Sequence, residues 1–270
     1  MKRLSVSILT LLLLVLFFNG CKKNTALEFQ KVDHIRFMLS TQDNDSSKGY
    51  CKVDIQFLYP SKGDDEIVLK KIQQQLLVYA FDSSYIDYPV KAAIDTFIKT
   101  TFDSYSKHII DKQVFAENST NEEWRMNTVI IFNDNGLLSY ELSRSSQIGK
   151  VYRSEYTQYL VFDLHTGNKI AQRDIFEEGV EPVISDLLKK QIMLEKGFDT
   201  EEHMINNGYF FAMNIVPNEN FSVSDKGISY LFNSDEIAVY SLGQTEVFLP
   251  FSKLTPYLKK ESPIAHLFAK

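Results

Sequence analysis

The chain is 270 residues long, with 44% apolar and 13% aromatic residues and a formal net charge of −6. That balance is ordinary for a globular protein and excludes a general nucleic-acid-binding surface, which would need a basic excess. About 250 residues follow an N-terminal leader, enough for one large or two small domains.

The leader comes first. Lys2 and Arg3 precede an apolar run from Ile8 to Phe18, and Asn19-Gly20-Cys21 follows. A basic start and a short apolar stretch make an export signal that is removed and takes no part in the fold. The run is shorter than the roughly 20 residues a bilayer-spanning helix needs. Gly20-Cys21 resembles the lipobox of bacterial lipoproteins, which implies a signal peptide over 1–20 and acylation of Cys21. The alternative is an ordinary secretory peptide whose Cys21 pairs with Cys51. Residues 21–31, opening with Lys22-Lys23-Asn24-Thr25, are expected to tether a water-soluble body to the membrane. Lysine rather than aspartate at position 22 implies an outer-membrane anchor facing the periplasm.

Alternation of Ile35, Phe37 and Leu39 predicts a strand, and the polar run from Gln42 to Gly49 a loop. Cys51, Val53, Ile55 and Phe57 predict a second strand that pairs with the first, with Cys51 a buried thiol. Helical spacing follows. Asp64 or Asp65 caps a helix with the stripe Val68, Ile72, Leu76 and Tyr79. Pro89 opens another, with Val90, Ile94, Phe97, Thr101 and Tyr105 on its apolar face. Residues 111–123 read as irregular.

Period two returns at Trp124, Met126, Thr128, Ile130 and Phe132, all expected on one face. Asn133-Asp134-Asn135-Gly136 is a hairpin signal, and Leu138, Tyr140 and Leu142 mark the returning strand. After a turn at 148–150, Tyr152, Tyr156, Leu160, Phe162 and Leu164 predict a long strand ending at Thr166-Gly167-Asn168. Pro182 starts a helix carrying Val183, Leu187, Leu188 and Ile192, and a short helix covers Glu201–Ile205. Strands are expected over Tyr209–Val216, Phe221–Val223, Ile228–Phe232, Ile237–Tyr240 and Val247–Leu249. The fold class is therefore α+β, with antiparallel sheets and helices packed on one side, in two related modules.

Chemistry is harder to find. No G-x-S-x-G, H-E-x-x-H or paired C-x-x-C occurs, and the five histidines are scattered. Asp163 and His165 stand at i and i+2 on an expected strand, so they are candidate ligand-binding residues; a polar strand face is the plainer reading. Glu201-Glu202-His203 and Asp64-Asp65-Glu66 suit helix starts, and Glu177, Glu178 and Glu181 make an acidic patch before Pro182. Tyr152, Tyr156 and Tyr159, or Tyr209, Phe210 and Phe211, are either core residues or platforms for a sugar ring or a protein partner. No catalytic residue, metal site or cofactor is implied.

A resemblance emerges towards the C-terminus. It rests on Phe162-Asp163-Leu164-His165-Thr166-Gly167-Asn168-Lys169-Ile170 and on Arg173-Asp174-Ile175-Phe176. Pro217-Asn218-Glu219-Asn220-Phe221, Gly227–Phe232, Asp235–Gly243 and Val247–Phe251 continue it. Together they resemble the C-terminal domain of RsiV-type anti-sigma factors, found also in bacterial lipoproteins. The resemblance implies an RsiV-like domain over 161–258, a tail over 259–270, and a module over 32–160 similar in outline to one shared with the deacetylase PdaC. Relatives often carry Gly-Gly-Ala-His before the Asp-Leu strand, where this chain has Ile148-Gly149-Lys150, so that histidine's role does not transfer. A lysozyme-binding role is implied for RsiV itself, but its cytoplasmic sigma-binding arm is not expected here. The expected function is that of a non-catalytic, lipid-anchored envelope protein. Its partners would be the membrane, through acylated Cys21, and peptidoglycan or an envelope protein, with no nucleic acid. The alternatives are a wall-glycan hydrolase or deacetylase, or a structural accessory subunit.

Overall fold

The computed structural model describes residues 26–39, 49–112, 121–149, 152–210 and 215–268. The leader and Cys21 lie outside them, as do most of the 42–49 loop, residues 113–120 and Phe211.

Five strands form the first sheet in sequential order: β1 (Glu28–Leu39), β2 (Tyr50–Lys62), β3 (Glu122–Asp134), β4 (Leu137–Ile148) and β5 (Tyr152–Asp163). β1 takes in residues 28–31 of the stretch read as a tether, and Leu27 before it is buried. All neighbours are antiparallel except β2 and β3, which run parallel. A parallel pair needs a long crossover. Two helices supply it, α1 (Glu66–Ala80) and α2 (Val90–Lys112). Asp65 caps α1, its carboxylate accepting the amides of Ile67 and Val68 at 2.8 and 3.1 Å. α1 buries Val68, Ile72, Leu76, Leu77 and Ala80, with Tyr79 only partly covered. Both helices pack on one sheet face, against Cys51, Val53, Ile55 and Phe57 of β2, Leu138, Tyr140 and Leu142 of β4, and Leu160 and Phe162 of β5.

The β3–β4 hairpin turns through Asn135 and Gly136, at φ 51° and 76°, the left-handed pair that an Asn-Gly turn requires. A side chain at 136 would also meet the His165 ring, its Cβ only 2.6 Å from Nε2. The expectation that Trp124 to Phe132 share one face fails at its end. Ile130 pairs with Tyr140 and Phe132 with Ser139, leaving Ile131 as an extra, bulged residue. A bulge shifts the alternation by one. Ile130 therefore packs beneath the helices, whereas Phe132 joins the second core.

That second core lies on the opposite face of β4 and β5, where Leu137 and Val161 point away from α1 and α2. It is closed by a three-stranded antiparallel sheet, β6 (Phe221–Val223), β7 (Gly227–Phe232) and β8 (Thr245–Pro250). Helices α3 (Gln172–Ile175), α4 (Glu181–Lys196), α5 (Glu201–Asn206) and α6 (Phe251–Leu254) accompany it. α4 buries Ile184, Leu188 and Ile192, while Val183, expected on the stripe, is exposed. Gly227 is held by close approach, since any side chain there would strike the Leu249 carbonyl.

The expected Ile237–Tyr240 strand is absent, and residues 211–214 of the expected Tyr209–Val216 strand lie outside the described residues. Tyr209 and Ala238 make only an isolated bridge, flanked by Phe210 N–H to the Ile237 carbonyl and Val239 N–H to the Gly208 carbonyl, each at 2.8 Å. The left-handed turn at Asp235, φ 71°, brings Ile237 and Ala238 in as consecutive buried residues, and the chain then winds into a short 3-10 turn over Tyr240–Leu242. The stretch read as a tail also packs. It forms α7 (Ala265–Phe268), and Ile264 and Leu267 sit in the second core.

Candidate functional site

The same register that builds the first sheet leaves one cleft on its helix-covered face. Two cross-strand rows make the floor. One runs Val53, Trp124, Ser146, Ser154, and the next runs Ile55, Met126, Arg144, Tyr156. Ala80 and Phe81 at the end of α1, and Phe97 on α2, form the wall. The enclosed volume is about 330 Å³, at the small end of ligand pockets.

Its chemistry is amphipathic. Trp124 stands edge-on to Phe97 with ring centroids 6.5 Å apart, and Phe97 in turn packs against Phe81 at 5.2 Å. Trp124 is 36% exposed and Tyr156 41% exposed, so both rings are reachable from solvent. Arg144 lies half-buried with its guanidinium 5.8 Å from the Tyr156 ring centroid, a cation–π distance. Arg125 also borders the cleft, but Glu123 takes it at 2.7 Å. Among the described residues no carboxylate reaches Arg144. Among the described residues the lining holds no aspartate, glutamate, histidine or cysteine.

The residues singled out in the sequence lie elsewhere. β5 ends at Asp163, so Asp163 and His165 do not share a strand face. The Asp163 carboxylate instead caps a turn, accepting the His165 amide at 2.8 Å and the Thr166 hydroxyl at 2.7 Å. His165 is exposed beside the β3–β4 turn. Glu177, Glu178 and Glu181 border a second hollow of about 490 Å³, together with Glu219, Arg173 and Lys259. Among the described residues no group of three or more His, Cys, Asp or Glu side chains could hold a metal ion. Of the tyrosine cluster, Tyr156 faces the cleft, whereas Tyr159 is buried on the other face of β5. Tyr209 is a core residue.

Arg144 was the residue sequence reading passed over. The signal was present: Leu138, Tyr140 and Leu142 set the apolar parity of β4, and Arg144 continues it, a charge placed on the buried face.

Two further sets of contacts concern the residues behind the C-terminal resemblance. Asn220 and Asn233 pair with the backbone of β5, and Glu236 accepts from Asn218 and Asn233, each at 3.4 Å. Glu219 accepts the Gln172 amide at 3.3 Å. These side chains join elements, and Asn218 and Glu219 also border the second hollow.

Residues 173–252 match the model of DUF3298, a protein of unknown function. The DUF3298 segment runs from α3 into α6 and so comprises the second sheet and its helices. The cleft belongs to the part of the chain before it. A crystal structure of a member of the DUF3298 family from Bacteroides fragilis NCTC 9343 superposes with a TM-score of 0.83 at 22% identity, covering 92% of this chain and 100% of that one. A DUF3298 family protein from Pseudomonas aeruginosa PAO1 has a TM-score of 0.58 at 14% identity, covering 87% and 95%. At these identities the likeness is one of fold, and it extends beyond the DUF3298 segment to the helix-covered sheet. No curated protein matches the chain.

Proposed function

We propose that this is a non-catalytic, lipid-anchored protein of a bacterial envelope that binds a cell-wall glycan through the cleft between the first sheet and its helices. The observation that carries the reading is the lining itself. Trp124, Phe97 and Tyr156 offer faces and edges suited to a sugar ring, and Arg144, Ser146 and Ser154 offer polar contacts around them. General acid–base chemistry most often uses a positioned carboxylate or histidine, and among the described residues neither lines this cleft.

The envelope half of the reading rests on the leader and on Gly20-Cys21. The likeness of residues 161–258 to the RsiV-type C-terminal domain, and of 32–160 to the PdaC-associated module, supports the same compartment. Among the described residues no helix is long and apolar enough to cross a membrane.

The test is retention of the purified full chain on insoluble peptidoglycan, run beside immobilised lysozyme. Retention on peptidoglycan that Trp124→Ala abolishes is the expected result. Retention on lysozyme alone would replace the glycan with a protein partner, and loss of both would overturn the binding reading. Fatty-acid labelling that disappears with Cys21→Ala checks the anchor.

A further inference from the structure

Arg144 and Trp124 are diagonal neighbours on the sheet: Trp124 pairs with Ser146, and Arg144 lies two residues before it on the same face. Diagonal positions lie roughly 7–8 Å apart, and both side chains border the same cleft. Resting on the binding reading above, we infer that the cleft selects a ring-sized unit bearing an anionic substituent, the ring against Trp124 and the anion on Arg144.

Three observations support the assignment. Arg144 is half-buried in an otherwise largely apolar cleft, where a desolvated, unneutralised charge is costly. It stacks against the Tyr156 ring, and among the described residues no hydrogen bond or carboxylate occupies its donors. A planar guanidinium stacked on an aromatic ring still presents its donor edge, which matches a carboxylate or phosphate bidentately. Ser146 and Ser154, in the Trp124 row, can satisfy ring hydroxyl or acetamido groups. An arginine that merely covered an apolar wall with its stem would show no such preference for anions.

Trp124 is the chain's single tryptophan, so its fluorescence reports on the cleft alone. The full chain is titrated with N-acetylglucosamine, N-acetylmuramic acid and N-acetylglucosamine 6-phosphate. The first is neutral, the second carries a carboxylate and the third a phosphate. The expected result is a shift in Trp124 emission, with at least one anionic sugar binding about ten-fold or more tighter than the neutral one. The tighter of the two acids identifies the anion. Arg144→Ala should bring all three to within about two-fold of one another, and Arg144→Lys should keep part of the preference. In the unaltered chain, raising salt should weaken the acids and spare the neutral sugar, a readout that needs no variant. Equal binding of neutral and acidic sugars, or an unaltered preference in Arg144→Ala, overturns the inference and leaves glycan binding standing. So does retention on peptidoglycan with no response to any of the three sugars. No retention on peptidoglycan and no response to any sugar overturns both.

Discussion

The side chain of Asn220 pairs with Tyr159 as a neighbouring strand would. Its Oδ1 accepts the Tyr159 amide at 2.6 Å, and its Nδ2 donates to the Thr157 carbonyl at 2.9 Å. Asn233 does likewise two residues earlier, accepting the Thr157 amide at 2.8 Å and donating to the Thr157 carbonyl at 3.0 Å. A carboxamide side chain carries the donor and acceptor of a peptide group, so two asparagines finish the edge of β5 without a sixth strand. Both are buried, as is Thr157. A second tie lies beside them, where the Ser139 hydroxyl donates to the Val223 carbonyl at 2.6 Å and accepts the Val223 amide at 3.0 Å. The two sheets are thus joined by polar contacts as well as by the apolar core.

Asn220→Ala should destabilise the protein by about 1–3 kcal/mol, because it strands the buried Tyr159 amide. Equilibrium urea unfolding measures this. Asn220→Asp should be at least as damaging at neutral pH: one carboxylate oxygen still accepts from Tyr159, but the other faces the Thr157 carbonyl. Acid should recover part of that loss, since a protonated carboxyl donates again. Asn220 and Asn233 share the Thr157 carbonyl, so their effects should depart from additivity in a double-mutant cycle.

The sequence made most of this fold legible where periodicity was strong. Helices opening near Asp65 and Pro89, the Asn135-Gly136 hairpin and the long β5 strand each had a local physical cause that tertiary packing did not override. Phe132 was misplaced because a bulge leaves no mark in a pattern of alternating residues. The Ile237–Tyr240 strand failed because consecutive burial of Ile237 and Ala238 looks, in sequence, like any apolar strand core. Asparagine's local preference is for turns, so only the fold shows Asn220 and Asn233 acting as strand surrogates. The cleft was least visible, for its residues come from β2, β3, β4, β5 and both helices, and Arg144 meets Trp124 only through strand register.

Tyr50 and Glu123 form a pH-sensitive tie between β2 and β3. The tyrosine hydroxyl donates to Glu123 Oε1 at 2.7 Å, and Arg125 holds the other carboxylate oxygen. The Tyr50 bond, ahead of Arg125, keeps the Glu123 carboxyl below its usual 4.5, and the same bond raises the Tyr50 phenol above 10.0. A lowered carboxylate stabilises fully above 4.5 and loses that contribution as pH falls through its folded value. A raised phenol stabilises fully below 10.0 and loses its share as pH rises through its folded value. Tyr50→Phe should therefore cost stability between these limits, by about 0.5–1.5 kcal/mol, and converge with the parent chain in strong acid and strong alkali. NMR titration should show the Glu123 carboxyl moving up in the variant.

The C-terminal segment after Leu258 should prove part of the folded body. Ile264 and Leu267 are buried, the Phe251 and Phe268 rings lie 5.7 Å apart, and the Lys259 amide donates to the Ile175 carbonyl at 2.8 Å. Leu267→Ala should cost roughly 2–5 kcal/mol, the range for emptying a core leucine site. A chain ended at Leu258 should unfold at lower urea than the full chain. Equal stability of the two would show that the segment contributes nothing.

Cys51 allows the state of Cys21 to be read by thiol chemistry. Cys51 is fully buried, and burial, with the Glu122 charge adding to it, pushes its thiol up to about 12. The thiolate is the reactive form, so the folded protein should hide Cys51 from Ellman's reagent at pH 8. The chain has 2 cysteines, which gives three distinguishable outcomes for the exported protein. If Cys21 is acylated, no thiol reacts in the folded state and Cys51 alone reacts in denaturant. If Cys21 is bare, it reacts in the folded state and both react in denaturant. If Cys21 pairs with Cys51, neither reacts until a reductant is added. The first outcome is expected, and either of the others would remove the lipid anchor from the proposed function while leaving the cleft and its ligand to be judged on their own measurements.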